Sequence, residues 1–177
     1  MKKLVHIGLM TALVVTLLAT GSFGMAANNK IIIKLAHADS IDIKTSRKQA
    51  MCEAFANVVN SKSGGIIEVQ IFGAGTLGGE REYVEAIKAG IVQSGIASGP
   101  IANFYPTAMV TDIPYLFPSK QVAYAVLDGS FGKKLGEGFN KATGIRSLAL
   151  GEVGFRHFTN SKRTIRSPKD LQGLPSI

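Results

Sequence analysis

The sequence predicts an α/β fold with a mostly parallel sheet, on three observations. Short runs rich in β-branched residues alternate with longer segments of helical periodicity. Glycines mark several of the junctions between them. The strand–helix–strand order also repeats, and a chain that returns to a sheet through a helix lays its strands side by side in parallel.

Ile31, Ile32 and Ile33 lead a first strand over 31–36. A helix is expected over 40–62, where Ala50, Phe55, Val58 and Val59 share a face that Met51 and Ala54 widen, and Gly64 and Gly65 stop it. Residues 66–72 alternate around Glu68 and Gln70 as a second strand, and residues 73–79 form a glycine-rich turn. A helix over 80–89 is closed by Gly90, and a third strand over 91–97 is ended by Ser98, Gly99 and Pro100. The apolar stretch 103–117, with Pro106 and Pro114, reads as a short helix and a buried loop. Helices follow over 119–127 and 131–142, separated by Asp128 and Gly129. Strands are expected over 145–150 and 153–160, then a basic linker over 161–168.

The N-terminus reads as a secretory signal peptide over residues 1–26. Lys2 and Lys3 precede an apolar stretch over 4–18, and small residues lead to Ala26. A membrane anchor would want about 20 predominantly apolar residues, more than this core has. Cleavage is expected after Ala26 or Ala27. No cysteine lies nearby to carry a lipid. Processing after Ala26 leaves 151 of the 177 residues, enough for one domain with a core. It lowers the formal charge from +8 to +6 by removing the two lysines. Export and the scatter of basic residues argue against nucleic acid as a partner and leave an anionic ligand or surface. Cys52 is the single cysteine, so no intrachain disulfide forms, and its place in a helical pattern reads as core packing.

Gly73, Gly75 and Gly78 spell G-x-G-x-x-G between a strand and a helix. The dinucleotide fingerprint should follow the first strand and be answered by an acid about 20 residues on. This one follows the second strand, and no acid lies between Ile91 and Val110. The loop is left as a turn or as an anion cradle at a helix N-terminus. Hydrolase and metal motifs are missing, and no cofactor is implied. Arg156 stands between Phe155 and His157. On a strand it would share a face with Phe158, where a guanidinium fits a carboxylate bidentately; the alternative is a surface or salt-bridged arginine.

Five segments resemble one family in its own order. They are 33–37 at the first strand, 77–82 after the glycine-rich loop, 99–104, 112–117, and the stretch 154–163 with the Asp170-Leu171-Gln172-Gly173-Leu174 turn beyond it. The family is the periplasmic solute-binding proteins of tripartite ATP-independent periplasmic (TRAP) transporters, of the DctP type, and the resemblance runs over 31–174. It implies a periplasmic-binding-protein-like lobe, a cleft that closes on a small organic anion such as a C4-dicarboxylate, and delivery to an integral-membrane permease. It suggests His37, Glu80, Ser98 and Asn103 as neighbours of the ligand, with Arg156 matching a family arginine near the carboxylate.

The domain division expected is a signal peptide over 1–26, a first lobe over 27–153, and a strand and linker over 154–177. In the family a further arginine lies a few residues past the D-L-x-G-L turn, where this sequence reads Pro175-Ser176-Ile177. The expectation is therefore a truncated chain with the second lobe largely missing. The alternatives are a small exported α/β enzyme, or a fragment of the receptor without function.

Overall fold

In the computed structural model, residues 30–155 and 159–174 are described. Three strands form one sheet, β1 (Ile31–Ala36), β2 (Ile67–Phe72) and β3 (Ser94–Gly95), in the order β2-β1-β3 with every pairing parallel. The register runs from Ile31 opposite Ile67 to Ala36 opposite Phe72, and β3 meets β1 only at Leu35 and Ala36. The connections are helices α1 (Arg47–Lys62) and α2 (Glu80–Lys88). The fold is thus the α/β lobe with a parallel sheet that the sequence predicts.

Neighbouring residues of a strand face opposite ways, and the core divides accordingly. Leu35 packs with Cys52 and Ala56 of α1 and with Val69 of β2. Ala36 packs with Tyr83 and Val84 of α2 and with Val92. The sheet therefore lies between α1 and α2. Cys52 is fully buried, and burial pushes its thiol up to about 11, which fits packing rather than reactivity.

Four expectations about strands and helices are corrected; in addition, the loop expected to be buried within 103–117 is largely exposed, with Ile113 at 52% and Tyr115 at 87%. The first helix begins at Arg47, not near residue 40. Asp42 holds the preceding residues in a turn, its carboxylate accepting from the Lys44 amide (2.9 Å) and its carbonyl from the Ser46 amide (2.8 Å). Ser46 then caps the helix by accepting from the Gln49 amide at 3.1 Å. Short polar side chains that bond the local backbone favour turns and caps over helix interiors.

The third strand shrinks to two residues, because the amides of Ile91 and Val92 bond back to the Ala86 carbonyl at the end of α2. Gly95 lets α2 pack close on the sheet: a Cβ there would lie 3.0 Å from Tyr83 and 3.1 Å from Ile87. Residues 145–150 form no strand, and Leu148 is 69% exposed. Nor do the described residues of 153–160 form one; 156–158 lie outside the described residues.

Short helical turns at Gly99–Asn103 and Pro106–Asp112 lead to α3 (Lys120–Leu127) and α4 (Ser130–Thr143). Tyr105 meets Phe139 of α4 edge-on at 6.3 Å. No helix among the described residues is long and apolar enough to cross a membrane. The proposed signal peptide lies outside them.

Candidate functional site

Because the three strands are parallel, their carboxyl ends share one edge, the place where open α/β sheets bind ligands. Three loops leave from it and are tied together by backbone hydrogen bonds. The His37 amide donates to the Phe72 carbonyl (3.0 Å), the Ala74 amide to the Asp39 carbonyl (2.9 Å), and the Ile96 amide to the Ala36 carbonyl (2.9 Å). The glycine-rich loop folds tightly against the exit of β1. A Cβ on Gly73 would fall 2.6 Å from Ile41 and 2.8 Å from the His37 ring. Gly73 thus serves close packing, while Gly75 and Gly78 turn the chain at φ of 68° and 93°.

At this edge a charged cluster joins four elements. Lys48, in the first turn of α1, pairs with Asp39 after β1 at 3.0 Å and with Glu80 at the start of α2. The Glu80 carboxylate also accepts from the Ser98 amide (2.8 Å) and from the Ser98 hydroxyl (2.9 and 3.0 Å). The Lys48 and Glu80 side chains are 12% and 11% exposed, whereas Asp39 is 44% exposed. Burial alone would push the Glu80 carboxyl up. The hydrogen bonds from Lys48 and Ser98, with the Lys48 charge, outweigh it and hold the carboxyl below its ordinary range. Burial likewise opposes the Lys48 charge, and its two carboxylate partners outweigh that, raising its pKa.

Of the residues suggested from sequence, Glu80 and Ser98 are brought into direct contact. His37 lies beside them in the fold, but its ring is fully buried and bonded through Nε2 to Gln49 Oε1 at 2.7 Å. The Gln49 amide group donates onward to Glu53 at 2.9 Å, so its oxygen faces the ring and His37 Nε2 carries the proton. His37 Nδ1 is buried with no hydrogen-bond partner among the described residues. Asn103 is exposed at the end of the Gly99–Asn103 turn. Arg156 lies outside the described residues.

Sequence reasoning missed Asp39, Lys48 and Gln49. The last two carried a signal. Gln49 is a polar residue on the buried face it shares with Cys52 and Ala56. Arg47 and Lys48 put two cations and no acid in the first turn of α1, against the helix dipole. A cation in that position wants an acidic partner from elsewhere in the fold. The edge can therefore hold a polar ligand by accepting hydrogen bonds at the open side of Asp39. Among the described residues no group of three or more His, Cys, Asp and Glu side chains gathers as a metal site.

Residues 37–175 match the family model of the bacterial extracellular solute-binding proteins, family 7, DctP. The chain belongs to the DctP family. A solute-binding protein from Verminephrobacter eiseniae is 42% identical over 74% of this chain and 39% of its own length. The C4-dicarboxylate-binding protein DctB of Bacillus subtilis is 30% identical over 82% of this chain and 41% of its own. A TRAP periplasmic solute-binding protein from a Polaromonas species, solved with D-erythronate bound, superposes with a TM-score of 0.70. It is 34% identical, over 82% of this chain and 47% of that one. The chain spans about two-fifths of the length of these two curated relatives.

Proposed function

We propose that this chain is the ligand-capturing first lobe of a TRAP receptor. The lobe is exported to the periplasm after cleavage near Ala26, and it is non-catalytic. It takes up a small organic carboxylate and hands it to integral-membrane permease subunits. The observation that supports this best is the convergence of Asp39, Lys48, Glu80 and Ser98 at the carboxyl edge of a parallel sheet, in a chain of the DctP family. Such an edge offers one wall of a cleft. A ligand is held tightly when a second wall encloses it, since pockets bury roughly 70–90% of a small ligand's surface. Arg156 is proposed to contact the carboxylate, with Glu80, Ser98 and Asn103 lining the wall and His37 backing it.

The test is calorimetry on the protein purified from the periplasm of its host, titrated with D-erythronate and with succinate. Saturable binding of either acid is expected, and binding of neither would overturn the reading. Arg156→Ala should weaken binding of the acid by about 1.5–3 kcal/mol, as for loss of a charge-assisted hydrogen bond. Unchanged affinity would remove Arg156 from the site.

A further inference from the structure

We propose that the Asp39–Lys48–Glu80 cluster selects ligand charge, favouring a hydroxylated monocarboxylate over a dicarboxylate, with Lys48 as the residue that sets the balance. This rests on the reading of the carboxyl edge as a ligand wall. The cluster holds two carboxylates and one ammonium, so it carries one net negative charge at neutral pH.

The three groups are not equivalent. Glu80 is nearly buried, and both of its oxygens are already taken by Lys48 and Ser98. It orients Ser98 and the start of α2 and has little capacity left for a ligand. Asp39 is 44% exposed, and only its Oδ1 meets Lys48. Its other oxygen accepts no hydrogen bond from the described residues and is free to accept one from a ligand hydroxyl. A ligand carboxylate placed there would meet a like charge and bring no proton to donate. A hydroxyl brings the proton and no charge.

Lys48 is what keeps this wall compatible with any anion. Without its ammonium the two acids would leave two net negative charges at one edge, and the exit of β1 would keep His37–Gln49 but lose its ionic tie to α1. Two like charges several ångströms apart near a protein surface repel strongly enough to shift an affinity by about tenfold.

The experiment is calorimetry with D-erythronate, a hydroxylated monoanion, and succinate, a dianion, on the same periplasmic protein and three variants. Wild type should bind erythronate about tenfold more tightly than succinate. Lys48→Met should lower succinate affinity about tenfold further than erythronate affinity, and Lys48→Arg should restore the wild-type ratio. Asp39→Asn moves the ratio the other way: succinate gains while erythronate holds or loses. Because Asp39 is exposed, this variant tests charge selection even if Lys48→Met melts early. If wild type binds succinate as well as erythronate, or if Asp39→Asn leaves the ratio unmoved, the inference is overturned while the receptor reading stands. Binding of neither acid by wild type would remove the receptor reading and this inference together.

Discussion

Residues 31–36 and residues 145–150 are both short segments that the sequence reads as strands, yet only the first is one. Leu35 is 3% exposed and Leu148 is 69% exposed. The first run has β2 on one side, β3 on the other, and a helix over each face. Among the described residues no strand lies beside the second. Strand preference in a sequence is a preference for a pleated, half-buried surface. Where such neighbours are not in place, as at 146–150, the segment forms no strand and stays exposed to water.

Amide hydrogen exchange offers the sharpest measure of that contrast. Amides of β1 should exchange at least about a thousandfold more slowly than those of 146–150, since core strands open only through large unfolding events. Equal rates would mean that the sheet is not the stable part of the molecule.

Side-chain truncation gives the next largest effect. Leu35→Ala should cost about 2–5 kcal/mol by opening a cavity between β1 and α1. Leu148→Ala should stay within about 0.5 kcal/mol. Chemical denaturation of both variants checks this, and a costly Leu148→Ala would show that 145–150 is packed in solution.

A smaller effect follows from pH. Glu80 has its carboxyl held below the ordinary value of 4.5. A depressed carboxyl contributes stability that is present above the unfolded value and is lost as pH falls through the folded one. Lys48 is raised above 10.5, so its contribution is intact below that and is lost only at more alkaline pH. Stability should therefore be flat in this respect from mildly acidic to mildly alkaline solution and fall below about pH 4.5. Glu80→Gln should flatten that acid limb, seen as melting temperature against pH. An unaltered limb would place the relevant carboxylates elsewhere.

Much of this architecture was legible because it is local. The three isoleucines of β1, Phe55 and Val59 of α1, and the glycine that closes α2 each act within a few residues, whereas Met51, Ala54 and Val58, expected on the same helix face, are exposed. What escaped depends on contacts distant in sequence or on side chains competing for the backbone. Asp42 draws residues 43–46 into a turn that periodicity could not register. The short β3 follows from Ala86 capturing two amides. For the site, Glu80 and Ser98 came from family resemblance and do meet each other. Lys48 was passed over because a lysine on a helix ordinarily reads as a solvated face. Only the folded distance to Asp39 and Glu80 shows otherwise.

The bare backbone at Gly95 has a consequence for how such a wall could be retuned. Tyr83 and Ile87 of α2 rest directly on that residue, and Glu80 stands one turn before Tyr83 on the same helix. Position 95 thus works as a shim beneath a lever. A methyl group there would press on the Tyr83 and Ile87 side chains and make them give by a few tenths of an ångström, one turn from Glu80 and its grip on Ser98. The charged cluster at the carboxyl edge can therefore be adjusted from beneath α2, through the packing of Tyr83 and Ile87.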